Sequence, residues 1–68
     1  MPNRTPWVVD KQAWRWAVEI DQMDGQLFVR VIDDGKVSIR GFSHLPDAER
    51  FAEGERQRMN LPRIVYRY

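Results

Sequence analysis

Trp14-Arg15-Trp16-Ala17-Val18-Glu19-Ile20-Asp21, and after Gln22-Met23-Asp24-Gly25-Gln26 the run Leu27-Phe28-Val29-Arg30-Val31-Ile32, is the stretch whose reading decides the fold. In its first half, Trp14, Trp16, Val18 and Ile20 alternate with Arg15, Ala17, Glu19 and Asp21, the period-two pattern of a half-buried strand. In its second half, Leu27, Val29 and Val31 alternate with Phe28, Arg30 and Ile32. Asp24-Gly25 between them is a two-residue hairpin signal. Such a loop sets Met23 opposite Gln26, Ile20 opposite Val29, Val18 opposite Val31 and Glu19 opposite Arg30. Both faces then match, with the Trp14 face apolar.

The next turn, Asp33-Asp34-Gly35, resists the same treatment. A two-residue loop there sets Arg30 opposite Ile39 and puts core and surface residues on one face. A three-residue loop with Gly35 in the left-handed bulge position instead sets Ile32 opposite Lys36, Arg30 opposite Ser38 and Phe28 opposite Arg40. Val37 and Ile39 are then expected in the core, and Gly35 is expected at positive φ.

After Gly41-Phe42 the period changes to about 3.6, with Leu45, Ala48, Phe51, Ala52 and Met59 on one stripe and Glu49, Arg50, Glu53 and Arg56 outside it. This predicts an amphipathic helix capped by Ser43 or His44, with Pro46 in its first turn where a missing N–H costs nothing. Asn60-Leu61-Pro62 stops it. Ile64, Tyr66 and Tyr68 then alternate with Arg63, Val65 and Arg67, a short final strand at a sheet edge. The expected class is α+β, in the order β-β-β-α-β: a three-stranded antiparallel meander packed on one helix, plus a C-terminal edge strand. Met1 to Pro6 reads as a loose arm, Trp7-Val8-Val9 as a short extended piece, and residues 7–68 as one small domain.

Sixty-eight residues leave no room for a second domain. With 43% hydrophobic and 31% charged residues the composition is that of a globular chain. The absence of cysteine removes disulfides and thiolate metal sites, so stability must come from packing or from self-association, as suits a reducing, cytoplasmic setting. No apolar run approaches the ~20 residues that span a bilayer, and no membrane partner is expected.

Residues that carry catalysis are scarce. Ser38, Ser43, Thr5 and the single His44 cannot be assembled into a nucleophile-base-orienter set, because Ser43 and His44 are helix-entry neighbours whose side chains diverge. The pairs Asp33-Asp34 and Asp21/Asp24 occupy turns, where short acids bond the local backbone. No calcium-loop spacing and no glycine-rich phosphate loop is present. The expected chain has no catalytic residues, no metal and no cofactor.

Surfaces are the better lead. With the helix on the Trp14 face, the open face is expected to display Arg15, Arg30, Lys36 and Arg40 with Phe28 and Ile32, a basic set interleaved with apolar groups. Glu19 opposite Arg30 and Asp21 opposite Phe28 offset part of that charge, while exposed Phe28 and Ile32 suit a protein partner or a second subunit. A second candidate surface is Tyr66, Arg67 and Tyr68 in the tail, which from Arg56 onward holds four arginines and no acid.

Three strands and a helix, with Trp16-Ala17-Val18-Glu19-Ile20 on the first strand, Gly41-Phe42 closing the third and Ala48, Phe51 and Ala52 on the helix, resemble the AP2 and phage-integrase arm-binding domains over residues 14–58. That resemblance implies a sheet face that enters the DNA major groove, with Arg15, Arg30 and Arg40 at contacting positions. Glu19 and Asp21 depart from the basic face of such domains. In size, lack of catalytic groups and charged aromatic surface the chain also resembles small phage and mobile-element inhibitors, anti-CRISPR proteins among them. The expected function is therefore a non-enzymatic module that binds a larger protein or protein complex, as a regulator or inhibitor acting by surface occlusion. Homodimerisation through the edge strand or open face fits the thin core. Nucleic-acid binding by the open face is the alternative.

Overall fold

The computed structural model describes residues 15–68; the expected arm, the Trp7-Val8-Val9 piece and Trp14 at the start of the first strand lie outside the described residues. Strands β1 (Trp16–Met23), β2 (Gln26–Asp33) and β3 (Lys36–Phe42) are followed by helix α1 (Leu45–Arg58) and strand β4 (Val65–Tyr66). They build an α+β unit whose single sheet has the order β3-β2-β1-β4. The first three strands are an antiparallel meander, and β4 joins the free side of β1 in parallel.

The β1–β2 hairpin has the register that the alternation demands: Met23 pairs with Gln26, Ile20 with Val29, Glu19 with Arg30 and Val18 with Val31. Asp24 and Gly25 both take positive φ, 54° and 77°, which is the type I′ geometry whose twist suits a hairpin. Val18, Ile20 and Val29 are fully buried on the face covered by α1, and Leu27, Val31, Ala48 and Ala52 complete the core. Each large aliphatic so buried contributes about 1.5–3 kcal/mol. The two helical alanines, one turn apart, let the helix backbone approach the sheet closely. Phe42, Phe51, Met59, Leu61 and Ile64 close the margins.

The β2–β3 hairpin corrects the sequence reading. Its loop has two residues, Asp34 (φ 54°) and Gly35 (φ 83°), and Asp33 pairs with Lys36. Ile32 therefore meets Val37, Arg30 meets Ile39 and Phe28 meets Gly41. The expected positive φ at Gly35 is present, but type I′ turns and bulged loops both require it, so it does not discriminate between them. Val37 and Ile39 are not core residues; they lie on the open face, 56% and 60% exposed. The three-residue loop rested on the assumption that both aliphatics must be covered by the helix. In fact α1 stands chiefly on β1 and β2, and β3 projects beyond it with all but its last residue exposed.

Helix α1 starts at His44, whose backbone is extended, with Pro46 and Asp47 in the first turn. Neither expected cap operates as such: His44 makes no side-chain cap bond, and its carbonyl simply accepts from the Ala48 N–H. The other end is closed more fully. Asn60 takes φ 58°, its N–H donates to the Gln57 carbonyl, and the Leu61 N–H donates to the Arg56 carbonyl at 3.0 Å, a Schellman arrangement. Arg56 reinforces it by donating to the Leu61 carbonyl (2.7 Å) and, with two nitrogens, to Glu53. Those bonds, joined by one from Gln57, hold the Glu53 carboxyl at a pKa of about 2. No described helix is long and apolar enough to cross a membrane.

Candidate functional site: the open face of the sheet

Strand alternation sends Ala17, Glu19 and Asp21 of β1, Phe28, Arg30 and Ile32 of β2, and Val37, Ile39 and Gly41 of β3 to the face opposite α1. Val65 of β4 is in register with Glu19 and shares that face. The face divides into two halves. Toward β3 it is apolar, made by Phe28, Ile32, Val37 and Ile39. Toward β4 it is ionic: Glu19 accepts from Arg30 Nη1 at 2.6 Å and faces Arg67 Nη1 at 3.6 Å, a carboxylate held between a guanidinium of β2 and one just past β4. Glu19 is 13% exposed and forms the floor of this group.

Phe28 lies beside Gly41: a Cβ there would stand at ordinary contact distance, 3.6 Å, from its ring and more tightly, 3.2 Å, against the Gln26 amide. Phe28 is half-buried, while Val37 and Ile39 beside it are exposed.

The expected site residues divide among three places. Phe28, Arg30 and Ile32 are on the open face as expected, joined by Arg67. Arg15 sits at the end of the sheet, where its guanidinium pairs with Asp34 and lies 5.6 Å from the Trp16 ring centre. Lys36 and Arg40 are not on this face. The two-residue turn sends both to the helix side, where Arg40 lies over the rings of Phe51 and Phe42 at 5.0 and 5.7 Å. The tail cluster is split likewise: Tyr66 is in register with Ile20 on the helix side and donates its hydroxyl to Glu49 at 2.8 Å, which raises its pKa. Tyr68 packs edge-on against Tyr66.

Sequence reasoning missed Val37, Ile39 and Val65 as members of the open face. The available signal was Asp34-Gly35 itself, since Asp-Gly is among the strongest two-residue hairpin signals and the preceding hairpin uses the same pair. On the helix side, a shallow cleft of about 410 Å³ runs between β3 and α1, lined by Lys36, Ser38, Glu55 and Arg58 among others. Its charged walls neutralise each other, with Arg58 paired to Glu55 and Asp33. Comparisons with family models, curated proteins and solved structures return no match for this chain.

Proposed function

We propose that this chain is a binding module without catalytic chemistry, which occludes an apolar surface of a larger protein with the open face of its sheet. The observation that carries the reading is the apolar half-face of exposed Val37 and Ile39 beside half-buried Phe28 and Ile32, unpartnered among the described residues and bordered by the Arg30–Glu19–Arg67 group. Apolar centres rimmed by paired charges suit protein partners, whose interfaces place aromatic and aliphatic anchors inside a polar border. Phosphate backbones demand the reverse, a surplus of unneutralised cations. Here Arg30 and Arg67 already face Glu19, Arg15 faces Asp34, and Arg40 and Lys36 point to the other side. A regulator or inhibitor working by occlusion needs only such a surface.

The test is quantitative capture from lysate by the immobilised protein and by a Phe28→Ala/Ile32→Ser variant, with duplex-DNA anisotropy in parallel. A protein retained by the native chain and lost by the folded variant is the expected result. Equal retention by both overturns the reading. So does DNA binding that weakens steeply, by about a thousandfold, between about 50 and 200 mM salt.

A further inference from the structure

We propose that the free edge of β3 seats a second copy of this chain, paired antiparallel about Ile39 in a two-fold symmetric dimer. This goes beyond the open-face reading: it concerns the backbone edge of β3, whose Val37 and Ile39 side chains belong to that face. In a two-residue hairpin the residues flanking the turn exchange both backbone hydrogen bonds, so Lys36, Ser38, Arg40 and Phe42 direct N–H and C=O toward β2. Val37, Ile39 and Gly41 therefore direct theirs to the free edge. The same alternation on the far side of the sheet sends the Ile20 carbonyl outward, where it accepts from the Arg67 N–H at 2.8 Å.

Edges of this kind invite pairing unless they are shortened, bulged or broken by proline. β4, at the other edge, has two residues, whereas β3 has seven in unbroken register with no proline. No described residue covers it. Of the three central residues that would pair most of its length, its sequence is self-complementary about one only. Centring on Ile39 sets Ile39 against Ile39, Val37 against Gly41, Ser38 against Arg40 and Lys36 against Phe42 of the second copy. Every outward N–H and C=O of Val37, Ile39 and Gly41 then finds a partner, and no like charges are directly opposed. Centring on Ser38 opposes Lys36 to Arg40, and it requires a Gly35 N–H already given to the Arg15 carbonyl at 3.0 Å. Centring on Arg40 opposes two guanidiniums.

Side-chain shape agrees with the first of these. Val37 of the second copy faces Gly41, which has no side chain of its own, and meets the Phe28 ring that lies beside it. α1 stands on β1 and β2, so the two helices clear each other on one side of an eight-stranded sheet. On the other side the two apolar half-faces join across the seam, as an isologous contact requires.

The experiment is amide exchange by NMR on the native chain at about 20 μM and about 1 mM, with sedimentation of the same samples. The expected result is twice the 8.1 kDa mass at the higher concentration, with exchange at Val37, Ile39 and Gly41 slowed about tenfold or more. Ile39→Pro, which removes an outward donor without breaking a bond to β2, is expected to abolish both changes. A monomer at both concentrations overturns the proposal, as does a dimer in which those three amides exchange unchanged, which would be stacked through its faces. Protection of the three amides only on addition of an extended peptide would assign the edge to a different strand. A monomer that still captures a protein through Phe28 and Ile32 would overturn the dimer alone.

Discussion

Two hairpins with nearly the same turn are held in register by different forces. Asp24-Gly25 and Asp34-Gly35 adopt closely similar left-handed pairs of conformations, yet β1 and β2 meet beneath α1 and β3 lies beyond it. In the first hairpin a slip of one residue would move either Val18 and Ile20 or Val29 and Val31 into water, a cost of several kcal/mol. In the second, a slip exchanges exposed Val37 and Ile39 for equally exposed Ser38 and Arg40, and costs burial only at Phe42, whose ring packs on Phe51 at the strand's end. The turn and the bonds to β2 set the register of β3, aided at its end by Phe42 on Phe51. An edge strand freed from burial can therefore carry apolar side chains outward, where a partner can use them.

The sharpest way to break this comparison is to cut into the buried hairpin. Ile20→Ala removes a fully buried side chain and is expected to cost about 2–5 kcal/mol in denaturant unfolding, enough to unfold much of so small a domain. A loss below about 1 kcal/mol would mean that the core under α1 is not what holds the first hairpin.

Next in size are the two turn glycines. Gly25→Ala and Gly35→Ala each force an alanine into the left-handed region with no neighbouring atom in the way, so each is expected to cost about 1–2 kcal/mol. The hairpins should part company in register. The nuclear Overhauser contact between the Phe28 ring and Gly41 should survive Gly25→Ala and weaken in Gly35→Ala, because only the second strand pair depends on its turn. Survival in both would show that ladder bonds suffice.

The smallest effect belongs to the projecting strand itself. Val37→Thr, measured in dilute protein, should change stability by less than about 0.5 kcal/mol, since the side chain is 56% exposed and the new residue favours strands equally. A larger loss would reveal burial of Val37 within the single chain.

The same contrast explains which parts of the molecule were legible beforehand. Alternation in Trp16 to Ile20 and Leu27 to Val31 had one solution because one face had to be buried, so pairing down to Glu19–Arg30 could be read directly. The helix was equally plain, since Ala48 and Ala52 recur at helical spacing between a proline-bearing first turn and an Asn60 stop. Val37-Ser38-Ile39-Arg40 alternates just as cleanly, but alternation tells which residues share a face and not which face is covered. That error moved Lys36 and Arg40 onto the open face and removed Val37 and Ile39 from it. Of the candidate site, Phe28, Arg30 and Ile32 were readable because they belong to the buried pair of strands. Arg67 came to Glu19 only through β4 choosing the β1 edge.

By itself the sequence determined the number and order of the elements, the first hairpin's register and the helix stripe, since these follow from local turn chemistry and from periodicities that burial enforces. Only the tertiary structure decided how far the helix reaches across the sheet and which edge β4 joins. Both depend on packing between segments distant in the chain. Among the described residues that packing leaves β3 uncovered, with the apolar half-face and the backbone edge on which the proposed associations rest.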